Sequence, residues 1–231
     1  MPIDPTPWPA AVVFDLDGTL VDSAVDIAAS LNDLLAERRL EPYPVDQAVT
    51  FVGCGIRALV DRAFSVRGCS LDAQRLSTLV AEYRAVYRWR STETTKAYAG
   101  AMDALSTLRL HGTRVGICTN KDEDIACRII DAVGLRNYVD AVVGGITGRP
   151  AKPSPIPLLE TITRLGASPA DSIMVGDSAT DIHCARNANV PFIGVTFGYS
   201  DPPMSQLGAD ATIDSYAEFE GACKLLQNRF P

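Results

Sequence analysis

The chain has 231 residues, which at about 150 residues per domain predicts one main domain carrying a smaller one. Its formal net charge of −7 argues against a nucleic-acid partner, because binding to a polyphosphate backbone needs a basic surface. Hydrophobic residues make up 47% of the chain and charged residues 21%, which is typical of a globular protein and excludes wholesale disorder. No apolar run reaches the ~18 residues of a membrane helix, and residues 1–10 lack the features of a signal peptide. We therefore expect a cytoplasmic protein with no membrane partner.

The first element in the chain is a short buried strand over residues 11–14, where four apolar residues precede a polar one. From residue 23 onward the apolar residues recur at helical spacing, and the same spacing predicts helices over 56–64 and 71–89. Ser70 is the expected N-cap of the last of these helices. No convincing strand is found between residues 21 and 95, so this segment is predicted to be helical.

After residue 96 helices alternate with short apolar runs. Strands are predicted over residues 115–119, 141–143, 173–176, 192–195 and 211–213. This alternation is typical of a doubly wound α/β fold, a Rossmann-like parallel sheet with helices on both faces. The predicted architecture is therefore a discontinuous α/β core, residues 1–20 plus 96–231, with an α-helical cap domain over 21–95 inserted after the first strand.

Polar residues follow several of the predicted strands at the carboxyl end, where such folds bind their ligands. These residues are Asp15 and Asp17, Thr119 and Asn120, Lys152, and Asp177 with Asp181. Asp15 and Asp17 stand two positions apart, so their carboxylates project to the same side of an extended strand end. Two adjacent carboxylates repel unless a proton or a cation neutralises them. The pattern therefore predicts a divalent metal together with an acid that can carry a proton.

The cysteines and histidines do not predict a zinc site or a disulfide scaffold. The six cysteines show no C-x-x-C spacing, and none clusters with His111 or His183. We expect the cysteines to be reduced and packed as small hydrophobic side chains.

The segment from Phe14 to Ser23, with Thr119-Asn120, Lys152 and the stretch from Gly176 to Asp181, resembles the four signature motifs of the haloacid dehalogenase-like hydrolases. The motifs occur in the family's order, and the resemblance covers nearly the whole chain. It implies that the strand before Asp15 lies centrally in the sheet, between the strands that end near Thr119 and Asp177.

The resemblance also implies roles for single residues. Asp15 would be the nucleophile that forms an aspartyl-phosphate, and Asp17 the general acid and base. Thr119, Asn120 and Lys152 would bind the phosphoryl group. The expected cofactor is Mg²⁺, held by Asp15, by the main-chain carbonyl of Asp17, and by Asp177. Asp181 would act on the metal through water or through its neighbours.

Two features of the chain distinguish between branches of the family. In the dehalogenase and phosphonate-cleaving branches the position of Asp17 is not an acid, so its presence favours phosphoester hydrolysis or phosphoryl transfer. Residues 21–95 contain no Lys and no His, which the phosphonate-cleaving and β-phosphoglucomutase branches use in their caps. Nine arginines stand there instead, and we expect most of them, together with Asp22, Ser23 and His183, to serve the surface or helix caps rather than catalysis.

The stretch from Phe51 to Ile56 resembles the cap substrate loop of phosphoglycolate phosphatases. Gly53 and Gly55 would let main-chain N–H groups approach an anion at a helix N-terminus, and Arg57 would bind an acidic substrate. A simple glycine turn between cap helices is the alternative. The expected partner is a small phosphorylated metabolite, with phosphoglycolate as the leading candidate.

Other phosphatase substrates remain open from the sequence: sugar phosphates, nucleotides or pyrophosphate. A non-catalytic binding protein with the same fold is the alternative from a different functional class. The oligomeric state, monomer or homodimer, is also left open.

Overall fold

The computed structural model describes residues 8–146, 148–200 and 202–229 of the chain. Its main sheet has six parallel strands in the order β5-β4-β1-β6-β7-β8, and a separate antiparallel pair joins β2 to β3. In chain order the strands are β1 (Ala11–Phe14), β2 (Val21–Asp22), β3 (Lys96–Ala97), β4 (Arg114–Asp122), β5 (Ala141–Gly145), β6 (Ser172–Gly176), β7 (Phe192–Val195) and β8 (Ala211–Ile213).

Strand β1 lies at the centre of the sheet, hydrogen-bonded to β4 on one side and to β6 on the other. All four of its residues are fully buried, as a run of apolar residues without polar alternation predicts for a central parallel strand. The implied strand order is therefore confirmed. Because β1, β4 and β6 run in the same direction, their carboxyl ends meet at one edge of the sheet.

Helices cover both faces of this sheet, which makes the fold doubly wound as predicted. Alternate residues of β1 belong to two separate apolar clusters: Val12 and Phe14 face one, while Ala11 and Val13 face the other. The helices of the chain are α1 (Ala24–Ala36), α2 (Val45–Val49), α3 (Ile56–Val66), α4 (Ala73–Arg90), α5 (Ala101–Leu110), α6 (Glu123–Ala132), α7 (Ile156–Arg164), α8 (Ala179–Asn187), α9 (Met204–Leu207) and α10 (Phe219–Arg229). Buried residues of α5, α6 and α10 belong to the first cluster, and those of α7 and α8 to the second.

Helices α1 to α4 form the cap segment between β2 and β3. Helix α1 packs against α2 and α4, and α3 packs against α4. The prediction that residues 21–95 contain no strand was wrong at one end, because Val21–Asp22 pairs with Lys96–Ala97 where the chain leaves and re-enters the core. Strands of two residues are too short to show an alternating or apolar pattern in the sequence. The domain boundaries themselves stay a prediction.

Helix α4 begins two residues later than predicted. Its N-cap is Asp72, whose side chain accepts a hydrogen bond from the main-chain N–H of Arg75. A carboxylate at this position also lies favourably at the positive end of the helix, which explains why Asp72 rather than Ser70 starts it.

A buried carboxylate ties the two ends of the cap segment together. Asp26, in the first turn of α1, is 1% exposed and accepts hydrogen bonds from the main-chain N–H and the hydroxyl groups of Thr94 and Thr95. Residues nearly 70 positions apart are thus joined beside β3. The contact fixes the orientation of α1 relative to the returning chain.

The cysteine expectation is confirmed only in part. The cysteines are unpaired, and Cys118, Cys184 and Cys223 are buried among apolar side chains. Cys54 is exposed, so it does not pack as a hydrophobic residue. In the described part of the chain no helix has the length and apolar character that a membrane crossing requires.

Candidate active site

The residues that follow β1, β4 and β6 surround one cavity at the carboxyl edge of the sheet. Asp15, Thr119 and Asp177 line it from the core, and Gly53 and Tyr87 are among the residues that line it from the cap. Its space, open in part to solvent, is about 640 Å³. The sheet topology thus brings together the side chains that stand more than 150 positions apart in sequence.

Lys152 reaches this edge from the loop after β5 and lies between two carboxylates. Its Nζ atom is 2.9 Å from Oδ1 of Asp15 and 2.6 Å from Oδ1 of Asp181, and it donates a hydrogen bond to the carbonyl oxygen of Cys118. The side chain is 1% exposed. Burial acts to lower the pKa of Lys152, but the charges of Asp15 and Asp181 outweigh it and raise the pKa well above its usual value. Lys152 therefore remains a cation in the site.

Asp15, Asp177 and Asp181 form a cluster whose carboxylate oxygens lie within 4.8 Å of one another. Burial is the main cause that raises the pKa of Asp15 to about 6, and burial with the charges of Asp181 and Asp15 raises that of Asp177 well above its usual value. Both shifts come first from burial and then from negative charge that Lys152 does not fully compensate.

The cluster fits a divalent cation. Among the described residues Lys152 is the one cation that contacts this cluster, through Asp15 and Asp181, which leaves an excess of buried negative charge. Oδ1 of Asp15 also receives no hydrogen bond of acceptable geometry, so it keeps lone pairs for a ligand. Buried carboxylate oxygens with unused lone pairs are the donor set that hard cations such as Mg²⁺ prefer. The side chain of Asp17 lies outside this cluster.

Two hydrogen bonds and a close glycine hold Asp177 in place. The main-chain N–H of Tyr199 donates to its Oδ2 atom at 2.7 Å, and the hydroxyl of Thr19 donates to Oδ1 at 3.4 Å. Gly18 has φ of +75°, and a Cβ atom there would overlap the Asp177 carboxylate. The glycine of the D-x-D-G-T segment is thus required both by backbone conformation and by the close approach of Asp177.

Asp181 has a structural role at the start of α8. It is residue N3 of α8 and forms a capping box with Ser178, in which each side chain accepts a hydrogen bond from the other residue's main-chain N–H. Its other carboxylate oxygen bonds Lys152. Asp181 therefore orients Lys152 while belonging to the acidic cluster, and whether it acts on a metal stays a prediction.

Asp17 is held by two residues that sequence reasoning did not assign to the site. Nζ of Lys121 donates to both carboxylate oxygens of Asp17, at 2.7 and 2.8 Å, and to the hydroxyl of Tyr87 on α4 at 2.5 Å. Oγ of Ser23 donates to Oδ1 of Asp17 at 2.5 Å. Ser23 stands at the N-cap position of α1, as expected, but its hydroxyl makes no cap hydrogen bond there and bonds Asp17 instead.

Asn120 braces the loops around the cavity with its side chain. Its Nδ2 atom donates to the carbonyl oxygens of Gly53 and Lys152, and its Oδ1 atom accepts from the main-chain N–H of Lys152. The side-chain amide donors that were expected to bind a phosphoryl group are therefore already engaged. Thr119, which is 5% exposed, lines the cavity directly.

The cap contributes mostly apolar side chains and glycines to the cavity. Gly53 and Gly55 line it, and Gly55 is the N-cap of α3 with φ of +84°. Arg57 is not among the lining residues; its side chain is exposed and Nη1 donates to Oγ of Ser77 on α4 at 3.2 Å. The remaining cap side chains of the lining are Ile27, Val52, Ile56, Leu59, Tyr83 and Tyr87.

A family model described as haloacid dehalogenase-like hydrolase matches residues 12–195 of this chain. The chain belongs to that family. The matched segment contains every acid of the cluster, Lys121 and Lys152, and of the residues that line the cavity it leaves out Tyr199 alone.

Curated relatives place the chain within the family. A phosphoglycolate phosphatase of Caulobacter vibrioides is 37% identical over 96% of this chain and 94% of the relative. One from Agrobacterium fabrum is 40% identical over 91% of each chain. The crystal structure of a "predicted phosphoglycolate phosphatase" from Haemophilus somnus 129pt superposes with a TM-score of 0.84 at 27% identity, covering 92% of this chain and 97% of the other. The protein is thus an enzyme of the phosphoric monoester hydrolase class, similar to the phosphoglycolate phosphatases.

Proposed function

We propose that the protein is a Mg²⁺-dependent phosphatase that hydrolyses a small phosphomonoester through an aspartyl-phosphate on Asp15. Phosphoglycolate is the leading candidate substrate. The observation that carries the proposal is the cluster of Asp15, Asp177 and Asp181 around the buried cation of Lys152, with Asp17 beside it at the same strand end. The names of the curated relatives support the choice of phosphoglycolate.

The reaction has two steps at Asp15. A carboxylate oxygen of Asp15 attacks phosphorus, the bond from phosphorus to the ester oxygen breaks, and Asp17 gives a proton to the departing oxygen. A water molecule then attacks the aspartyl-phosphate, and Asp17 takes its proton as inorganic phosphate leaves. Thr119 lines the cavity and Lys152 contacts Asp15, so a hydroxyl and a fixed cation would stabilise the negative charge that the phosphoryl oxygens carry in the transition state.

Mg²⁺ would be held by the side chains of Asp15 and Asp177 and the main-chain carbonyl of Asp17, with Asp181 nearby. When bound, it supplies positive charge that neutralises the phosphoryl oxygens and the acids around them. The carboxylates of Asp15 and Asp177 would fix the position of that charge, and the cap shields the cavity from bulk water.

Mg²⁺ should stabilise the metal-free protein more at pH 7.5 than at pH 5. The folded-state pKa of Asp15 is about 6, above its usual 3.8, so folding favours its protonated form. The metal-free protein therefore loses stability as the pH rises from about 4 to 6, and a cation that replaces the proton restores it. Thermal unfolding with and without Mg²⁺ at the two pH values measures this.

The matched variant for this experiment is Asp177→Asn, which keeps the shape of the side chain and removes one ligand charge. It should lose most of the Mg²⁺-dependent increase in melting temperature. An equal increase in the variant, or none in the wild-type protein, would remove the acidic cluster as the metal site.

The test of the function is a panel of phosphorylated metabolites hydrolysed with Mg²⁺ and ranked by kcat/KM. Phosphoglycolate should rank first and EDTA should stop phosphate release. If a sugar phosphate, nucleotide or pyrophosphate ranks first, the reaction class stands and the substrate is corrected. If no ester is hydrolysed in the presence of Mg²⁺, the non-catalytic alternative is the right one.

Arg57 can be tested with the same assay. To bind a substrate carboxylate its side chain would have to leave Ser77 and turn toward the cavity. In that case Arg57→Ala raises KM for phosphoglycolate about 10- to 100-fold and leaves KM for p-nitrophenyl phosphate unchanged, because one charged hydrogen bond is worth about 1.5–3 kcal/mol. Equal effects on both substrates would exclude Arg57 from substrate recognition.

A further inference from the structure

Lys121 is a buried cation whose three ammonium protons all have acceptors. Its side chain is 4% exposed, and Nζ donates to both carboxylate oxygens of Asp17 and to the hydroxyl of Tyr87. An ammonium group has three donors and no further capacity. The end of the side chain is therefore fixed between a residue of the core and a residue of the cap.

The hydrogen bonds at Asp17 set the orientation of its carboxylate. The torsion that rotates a carboxylate is soft, so contacts rather than a rotamer preference must define it. Oδ1 of Asp17 accepts from Ser23 and from Lys121, whereas Oδ2 accepts, among the described residues, from Lys121 alone. Oδ2 thus retains a lone pair on which a proton can be carried.

The partner of Lys121 in the cap belongs to a longer contact between α4 and the start of α6. Beside the bond from Lys121 to Tyr87, Arg84 pairs with Asp122, and Nε of Arg88 lies 3.7 Å from Oδ2 of Asp124. Residues 121–124 therefore contact α4 over successive turns. Tyr87 and Lys121 are the members of this contact that line the cavity.

We propose that Lys121 is the positioning residue of Asp17: it holds the carboxylate in the orientation that delivers a proton to the ester oxygen, and its bond to Tyr87 makes that orientation depend on helix α4. The inference rests on the proposed function, since it requires Asp17 to be the acid. The competing role, in which Lys121 binds the carboxylate of an acidic substrate, has no free ammonium proton to use in this arrangement.

The test compares kcat/KM of Lys121→Met with that of the wild-type protein on three esters. Phosphoglycolate is an alkyl ester whose alcohol part carries a carboxylate, and ethyl phosphate is an alkyl ester whose alcohol part carries no charge. The leaving group of p-nitrophenyl phosphate departs without a proton. The quantity kcat/KM covers the steps up to departure of the leaving group, which is where the proton is given. We expect a loss of about 100-fold on both alkyl esters, because misplacing a catalytic group by about 1 Å costs that much, and a change below about 3-fold on p-nitrophenyl phosphate.

Each other pattern overturns the inference. A loss on phosphoglycolate alone means that Lys121 recognises the substrate carboxylate. An equal loss on all three esters means that Lys121 has a purely structural role. No loss on any ester means that Lys121 has no role in the reaction. If the wild-type protein itself hydrolyses none of the esters with Mg²⁺, the proposed function is wrong, and the role of Lys121 that rests on it is wrong as well.

Two further variants keep the test decisive if Lys121→Met does not fold. Tyr87→Phe keeps the ring and removes only the acceptor of the Lys121 bond, and it should give the same selectivity at about 3- to 10-fold. Arg88→Gln is the matched control, because it removes an exposed contact of the same helix that does not reach Asp17. Arg88→Gln should leave kcat/KM on all three esters at the wild-type level. A loss in this variant on the two alkyl esters alone would assign the effect to the whole contact between α4 and residues 121–124 and would overturn the role of Lys121.

Discussion

Asp15→Asn is expected to lower kcat by about 10⁴-fold or more, to the detection limit of a phosphate-release assay. The amide keeps the size of the carboxylate and lacks its nucleophilic charge, so no aspartyl-phosphate can form. The fold should persist, since burial already disfavours the charged form of Asp15 and raises its pKa to about 6. Acid quenching with ³²P-labelled substrate should trap label on the wild-type protein and none on the variant.

The stability of the variant is the control for this experiment. Its melting temperature at pH 7.5 without Mg²⁺ should equal or exceed that of the wild-type protein, because a buried group that resists ionisation has been replaced by a neutral one. Turnover above about 1% of the wild-type rate in a folded variant would contradict the covalent mechanism.

Lys152→Met should damage both activity and stability. Removing the cation leaves Asp15 and Asp181 buried without their shared partner, and breaking a buried pair costs about 3–5 kcal/mol. For a chain of this size that corresponds to a fall of roughly 10 °C in melting temperature. We also expect kcat to fall by about 10²- to 10³-fold, since a fixed charge beside the transferred phosphoryl group is lost. Thermal unfolding and phosphate release measure the two effects.

Lys96→Met is the matched substitution at an exposed lysine. It should change neither the melting temperature nor kcat. If Lys152→Met were as stable as Lys96→Met in the absence of metal, the buried charge cluster would not depend on Lys152 for neutralisation.

The sheet was predictable because each strand has a strong local signal. The four residues of β1 are apolar and end at a polar residue, and helices and strands alternate after residue 96, so both the strands and their parallel arrangement follow from local patterns. Weak elements were missed for the same reason. The pair of β2 with β3 is two residues long, and only a contact between residues about 75 positions apart defines it.

The site was predictable where motif and strand end coincide, and not elsewhere. Asp15, Thr119 and Asp177 each stand at or after the end of a strong strand and all line the cavity. Ser23 ends the first motif and Lys121 follows Thr119-Asn120, but neither was assigned a role in catalysis, since their positions fit a helix start or a loop equally well. A further hint was the scarcity of lysine: only four of the 21 basic residues are Lys, and the structure buries two of these, Lys121 and Lys152.

The sequence by itself determined which residue types stand at the strand ends, because strand signals and motif spacing are local properties of the chain. Only the tertiary structure decided how those residues pair. Whether Lys152 contacts Asp15 or Asp181, and whether Asn120 faces a ligand or braces a loop, depends on distances between segments far apart in the chain. The excess of acid shown by the net charge of −7 likewise acquires meaning only in the fold, where three carboxylates gather within 4.8 Å and favour a cation.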